Sequence, residues 1–363
     1  MSNQDHLYIH NVNDGTPHYN DVVLNSFRKL QVVTRIYDEP VSRGAGLRVA
    51  IYQAQADWGE GAAGKNIQRL ELAVQKAKAY GTQLLLFPEL YLQGYTHDPE
   101  SAKETSETCD GPSITRCREV ACDNNIGLVV PYGERVDKAD GKSAFYDSIA
   151  VIGENGDLFD SYRKTHLYGQ QERDNWDVGD SDFPVHRFFD FPVGVINCYE
   201  CEFPELVRIL ALKGAKLIVG PTAADTYYRL PSGDRSRVPY PDTAKIMFPG
   251  HAYANNLFFA YANRCGYEER DGDVWHYRGN SAVYGPHGDE IVRAQNEQDT
   301  LLVTDCVPCF YGMTHPAPDY FYLKDRRPEL YQQLVSKEAK FLKTRDNNIN
   351  EKTDLNAGDF RYP

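Results

Sequence analysis

An α/β fold with mixed sheets is predicted by three features of this 363-residue chain. Short continuous apolar runs such as "TQLLLF" (82–87) and "IGLVVPYG" (126–133) have the character of strands covered on both faces. Segments of helical period alternate with them, which layers helices against a sheet. Hairpin-like pieces, "AFYDSIAVI" (144–152) followed by the turn "GENGD" (153–157) and later "GNSAVYGPHGDEIVRA" (279–294), add antiparallel pairs.

Taken in order, residues 1–46 are polar, show no clear period and end at the flexible "SRGAG", so they are expected as an extension on or beside the core. "LRVAIYQAQ" (47–55) reads as a strand. Residues 66–80 form a helix with Ile67, Leu70, Val74 and Ala77 at helical spacing, closed by Gly81 where a left-handed cap is wanted. A second helix, "SITRCREVACDNN" (113–125), separates the two continuous runs. "LFDSYRKTHL" (158–167) follows the 153–157 turn. "VGVIN" (193–197) is a strand, residues 204–213 a helix opened by Pro204 and stopped by Gly214, and "AKLIVGPT" (215–222) the next strand. "NNLFFAYAN" (255–263) adds another. Residues 227–245 hold three prolines and no period, and a loop of that length is expected to serve as a lid. From Asp325 the chain is expected to begin as a helix and drift into a polar tail that docks on a partner subunit or stays mobile.

Composition excludes several classes. With 41% hydrophobic and 25% charged residues, and no apolar run of the roughly 18 residues that a membrane helix needs, a soluble globular protein without a membrane partner is expected. Net charge is −13 with no Lys/Arg run, which argues against nucleic acid as a partner. The N-terminus shows neither a basic start nor an apolar stretch, so a cytoplasmic location is the expectation. Eight cysteines are too sparse for a disulfide scaffold and are read as reduced thiols, free for chemistry.

Glu89, Glu134 and Cys198 each lie just past the carboxyl end of an expected strand, where α/β sheets place their ligands, and Lys164 lies in or after another. Cys198 precedes a helix beginning near Pro204. Backbone N–H groups, the positive helix end and a nearby Lys164 would favour its thiolate; the plain alternative is an inert core cysteine. Cys201 forms C-x2-C with it, and Cys306 with Cys309, but the two pairs are too far apart in sequence for a zinc ribbon and no histidine sits at ligand spacing. An acyl-transfer thiol needs a base and an oxyanion stabiliser. A free glutamate titrates near ~4.3 and a thiol near ~8.5, so Glu89 serves as base only if burial raises its pKa and a cation lowers that of the sulfur. Lys164 supplies that cation and, with the backbone N–H of Tyr199, a donor to the oxyanion. Glu134 would hold the substrate NH2 or position water, unless it is a solvated loop carboxylate. His166, on the same face as Lys164 if that segment is extended, is the rival base.

These residues sit in a resemblance. "LLLFPELYLQGY", "GERVDKADGKSAFYDSIAVIGENGDLFDSYRKTHLYG" and "VGVINCYECEFPELVRILALKGAKLIVGPTA" resemble, in order and spacing, three signature blocks of the carbon–nitrogen hydrolase (nitrilase) superfamily. The likeness covers about residues 47–307, with further similarity in "GHAYANNLFFAYANRCG", "YRGNSAVYGPHGDEIV" and "DRRPELY". It implies a four-layer αββα sandwich at residues 47–312, after the 1–46 extension and before a 313–363 arm and tail, in protomers that pair as a homodimer or larger homo-oligomer. Carried over, Glu89 resembles the general base, Lys164 the oxyanion lysine, Cys198 the nucleophile and Glu134 the second glutamate that orients substrate. Tyr95 resembles a wall of the acyl pocket, Thr222 and Ala223 are substrate-binding positions, and no metal or organic cofactor is implied.

C-Y-E-x-x-F-P-E is similar to the amidase and carbamoylase branches, whereas nitrile-cleaving members usually show a different run after the cysteine. "GQQERDNWDVGD" and "YANRCG" are similar to aliphatic or amino-acid amidases, and "PGHAYANNL" to carbamoyl-amine hydrolases. The expected function is a thiol amidohydrolase that cleaves a small carboxamide through a cysteine thioester, with Cys201 a bystander. A carbamoylase or nitrilase on the same residues, a catalytically idle scaffold and a zinc-stabilised interaction module are the alternatives.

Overall fold

The computed structural model describes residues 6–11 (as a strand), 30–95, 98–227, 234–295, 297–312 and 321–337. Its strands are β1 (His6–Asn11), β2 (Gln31–Ile36), β3 (Leu47–Gln53), β4 (Leu84–Leu86), β5 (Gly127–Asp137), β6 (Ser143–Ile152), β7 (Leu158–Arg163) and β8 (Val185–Phe188). There follow β9 (Phe191–Val195), β10 (Leu217–Thr222), β11 (Phe258–Asn263), β12 (Cys265–Arg270), β13 (Asp273–Arg278), β14 (Ala282–Tyr284), β15 (Glu290–Arg293) and β16 (Thr300–Cys306). The helices are α1 (Ala62–Ala79), α2 (Pro99–Thr105), α3 (Pro112–Asn124), α4 (Gly169–Asn175), α5 (Pro204–Leu212), α6 (Thr243–Ile246) and α7 (Phe248–Asn255). No helix of the described residues is long and apolar enough to cross a membrane.

One eight-stranded sheet has the order β1-β2-β16-β3-β4-β5-β6-β7, a six-stranded one β15-β14-β11-β10-β9-β8, and β12-β13 stand apart as a hairpin. Side-chain alternation along each strand explains how they stack. In β3, Val49 and Ile51 join Val193, Val219 and Phe258 in a core between the two sheets. Ala50 and Tyr52, one residue out of phase, pack instead with Leu70 and Val74 of α1 and with Ile114 and Val120 of α3. On the far side Ile218 and Phe259 meet Val207 and Leu210 of α5 and Phe248 of α7. The result is the four-layer αββα sandwich. The sheets are mixed as expected: β3, β4 and β5 run parallel, while β5, β6 and β7 are antiparallel.

Gly81 caps α1 at φ 73° as its position predicts, a conformation open to glycine without strain. Other segments differ from the expectation. Residues 31–36, read as part of an extension on or beside the core, form β2, which pairs parallel to β16 inside the main sheet. "QVVTRI" is a short half-polar run whose burial comes from its partner strand, so no periodicity announces it. Among the described residues after Asp325, up to residue 337, the arm is not α-helical: it makes single 3-10 turns at Pro328–Leu330 and Gln332–Val335. Leu330, Leu334 and Val335 are exposed there, and a helix this short is marginal without a packed face. Residues 228–233 of the expected lid lie outside the described residues. The rest of it runs as irregular chain tied by Tyr240 N–H to Thr226 O at 2.8 Å, then enters α6.

Gly127 of β5 marks how closely the sheets approach, since a Cβ there would meet the Phe188 ring at 2.3 Å. Phe188→Ala is therefore expected to open a cavity between the sheets and to cost about 3–5 kcal/mol of unfolding free energy. Urea denaturation checks this. A loss under about 1 kcal/mol would mean that the sheets are not in tight contact at this point.

Candidate active site

The site begins with a charge that has no business in a protein interior. Lys164 follows β7 directly and is 0% exposed. Its Nζ donates to Oε1 of Glu89 at 2.5 Å, lies 2.8 Å from each carboxylate oxygen of Glu172 and 3.4 Å from Oδ2 of Asp147. Burial alone would lower the ammonium's pKa. Glu172, Glu89, Cys198 and Asp147 reverse that and hold Lys164 protonated, well above its ordinary value. The carboxylate oxygens of Glu89, Asp147 and Glu172 lie within 4.8 Å of one another, a spacing a metal ion could use. Lys164 already supplies the positive charge there.

Glu89 is positioned from behind. Its loop leaves β4 and bends at Leu90, φ 46°, and Arg264, buried between β11 and β12, donates to the backbone oxygens of Glu89 and Leu90 at 3.0 and 3.2 Å. Arg264 is in turn ion-paired with Glu268, whose carboxylate accepts the N–H of Tyr95. Tyr95 then directs its hydroxyl to Oε1 of Glu172 at 2.7 Å, and its ring packs edge-on against Trp275 and Tyr277 of the β12–β13 hairpin.

Cys198 stands at the sharp turn out of β9, with φ 52°, a left-handed conformation that costs a non-glycine residue on the order of 1–3 kcal/mol. The turn is held by two bonds between Asn197 and Glu200: the Glu200 carboxylate accepts the Asn197 N–H at 2.8 Å, and the Glu200 N–H donates to the Asn197 backbone oxygen at 3.1 Å. Glu200 also accepts from Tyr162 and Thr165. Burial would raise the Glu200 carboxyl, but bonds from His166, Thr165, Tyr162 and Asn197 win and hold it below the usual range. The Tyr199 N–H precedes the first intrahelical bond of this turn, Glu200 N to Asn197 O.

The thiol departs from expectation. Burial, with Glu89 and Glu172, pushes Cys198 well above the ordinary thiol pKa, and neither Lys164 nor the hydrogen bond from the Ala223 N–H reverses it. A lowered pKa was expected because only the cation and helix end were counted. The carboxylates that hold that cation were not.

Glu134 is a correction. It was expected to orient substrate or to lie solvated in a loop, yet it is buried on β5 and bound to Arg163 at 2.8 and 3.0 Å and to Ser148 at 2.8 Å. It shares the phase of Val130 and Tyr132, which face the helix layer. Asp147 shares the phase of Ile149 and Val151, which face the other sheet. The second glutamate at Lys164 is Glu172, from α4. The signal for it was an acid eight residues after the lysine, inside "GQQERDNWDVGD", and for Asp147 the period-two pattern of β6.

The remaining calls resolve by contact. Ala223 brings its N–H to Cys198, whereas the Thr222 hydroxyl donates to Gly220 O at 3.2 Å. His166, the rival base, bonds Thr165 at 2.7 Å and packs its ring at a tilt against Phe203. Cys201 is packed in the core under Gly220, where a Cβ would meet its Sγ at 2.4 Å. Cys306 closes β16, in the other sheet from the one Cys201 packs against.

The carbon-nitrogen hydrolase family pattern matches residues 48–308. A Pseudomonas protegens protein named "Hydrolase in pqqF 5'region" is 33% identical, over 79% of this chain and 92% of its own. A citrullinase of Francisella tularensis is 31% identical over 81% and 99%, and an N-carbamoylputrescine amidase of Arabidopsis thaliana 28% over 75% and 90%. Among solved structures, the amidase of Nesterenkonia sp. AN1 in complex with acrylamide superposes with a TM-score of 0.61 at 28% identity, covering 82% of this chain and 100% of that one. The same amidase has been captured with the acetamide moiety of fluoroacetamide covalently added at its active-site cysteine. The chain belongs to the carbon-nitrogen hydrolase family and is a hydrolase of carbon–nitrogen bonds other than peptide bonds.

Proposed function

We propose that the protein is a thiol amidohydrolase that converts a small carboxamide and water to a carboxylic acid and ammonia through a thioester on Cys198. The observation that carries this reading is the buried Lys164, held by Glu89 and Glu172 and acting on Cys198 through its charge. Because the resting sulfur is a neutral thiol, attack needs a base at hand. Glu89 takes the thiol proton as sulfur bonds to the amide carbon. Lys164 and the Tyr199 N–H receive the charge that develops on oxygen. Collapse breaks the C–N bond, and the proton on Glu89 goes to the departing ammonia. Water, deprotonated by Glu89, then attacks the thioester and frees the acid. Glu172, fixed by Lys164 and Tyr95, binds the substrate NH2.

A ureide reading uses the same residues and is favoured by the names of two relatives, a citrullinase and an N-carbamoylputrescine amidase. There the acyl group is a carbamoyl, and the products are ammonia, carbon dioxide and an amine. Ammonia release from a panel of carboxamides, ureides and nitriles separates the readings. Turnover confined to nitriles overturns both.

On the better amide, Cys198→Ala and Glu89→Gln are expected to lower kcat by about 10³-fold or more with folding intact. Glu172→Gln should lose about 10²-fold in kcat/KM, whereas Glu134→Gln should act mainly on stability through the orphaned Arg163. Mass spectrometry of a trapped acyl-enzyme is expected to find the label on Cys198; label on Cys201 would refute the assignment.

The raised Cys198 pKa fixes the sign of a pH effect. Its thiolate is scarce at neutral pH and grows about tenfold per pH unit below the pKa. Alkylation of Cys198 by iodoacetamide, followed by peptide mapping, should therefore keep climbing through pH 9. A plateau below pH 8 would mean a preformed thiolate.

A further inference from the structure

Glu89, Asp147, Lys164 and Glu172 share one buried cluster, with one ammonium for three carboxyl groups. A buried charge left without a partner takes up a proton instead of staying ionised. The hydrogen bonds indicate where that proton belongs. The three protons of Lys164 are drawn to Oε1 of Glu89 and to the carboxylate of Glu172. Oδ1 of Asp147 accepts from Nδ2 of Asn197 at 2.9 Å. That leaves Oε2 of Glu89 and Oδ2 of Asp147, both buried and with no hydrogen-bond donor among the described residues. An oxygen of each carboxyl group lies within 4.8 Å of one of the other's, and a hydrogen bond between the two is among the causes that raise the Asp147 carboxyl. Ionised, they repel; one proton between them satisfies both oxygens.

We propose that Asp147 is a positioning residue that keeps its proton on Oδ2 and donates it to Oε2 of Glu89. The proposal rests on Glu89 being the base, because a base must be ionised at rest and the shared proton then belongs to Asp147. Burial pushes the Asp147 carboxyl well above the usual range, against the pull of Lys164 and with Glu89 and Glu172 adding to it. Across the same sheet, Glu134 faces the other way and is neutralised by Arg163. Asp147 also ties the site together mechanically. Its backbone O accepts the N–H of Lys164 at 2.9 Å, and its side chain holds Asn197, the residue before the nucleophile.

Infrared spectra of the full-length protein test the proton directly. At neutral pH the wild type is expected to show a protonated-carboxyl stretch, shifted in heavy water, that Asp147→Asn removes; a spectrum unchanged by the substitution overturns the proposal. An asparagine amide donates from the same place, so Asp147→Asn should retain kcat/KM within about threefold while Asp147→Ala loses about 100-fold, mostly in kcat. The alkaline limb of the wild-type kcat profile, where Asp147 gives up its proton, should weaken or vanish in Asp147→Asn. Asparagine as damaging as alanine would mean that Lys164 needs an anion at 147. If the alanine variant fails to fold, the infrared band and the asparagine profile still decide. Full activity in Glu89→Gln would instead remove the base assignment, while the infrared result would stand on its own.

Discussion

Everything at this site follows from burying one ammonium. An ion moved from water into a protein interior carries a penalty of several kcal/mol even after relaxation, and only close, well-bonded counter-charge offsets it. Lys164 meets that demand with two glutamates, Glu89 and Glu172. Burial and the excess of carboxyl groups together set the state of the sulfur, and Cys198 is held as a neutral thiol. In the mechanism proposed above, the anion develops only when a substrate is present to share it, which keeps an acid-lined pocket from holding a reactive thiolate at rest.

That geometry reaches back into the packing. β4, β5, β6 and β7 lie side by side in one sheet; Glu89 from the loop after β4, Asp147 from the middle of β6 and Lys164 directly after β7 meet there. Cys198 comes from β9 in the facing sheet. The cluster thus straddles the two sheets, and the apolar layer between them, with Val49, Val129, Val195 and Val219, sets how far Cys198 stands from Glu89. Glu134 and Asp147 show how sharply the pleat sorts function. They sit on adjacent strands, and opposite phase sends one to a structural ion pair and the other to the reactive cluster.

Much of this was legible in the chain. The buried strands and the helices packed on them announced themselves because continuous apolar runs and a 3.6-residue period are local signals. Glu89, Lys164 and Cys198 stood out by their place past strand ends. Glu172 did not, because an acid in a polar, charge-rich helix looks solvated until tertiary packing closes over it. β2 was hidden for a similar reason: its apolar character is ordinary, and its place in the sheet is decided by β16, far away in sequence. The Cys198 thiol was misjudged because its pKa depends on a sum of charges that no linear spacing reveals.

The Arg264–Glu268 pair gives the pocket a particular kind of evolvability. One side chain grips the backbone beside the base and the other the backbone of Tyr95, while the hairpin that carries Glu268 also carries Trp275 and Tyr277. The hairpin and the Glu89 loop are therefore a single rigid part. If Glu89 is the proposed base, a lineage that reshapes the hairpin to admit a new acyl group also disturbs the proton acceptor, so drift in selectivity by that route comes with lost turnover. Tyr168 and Tyr199, packed edge to face outside the clamp, have no part in that linkage.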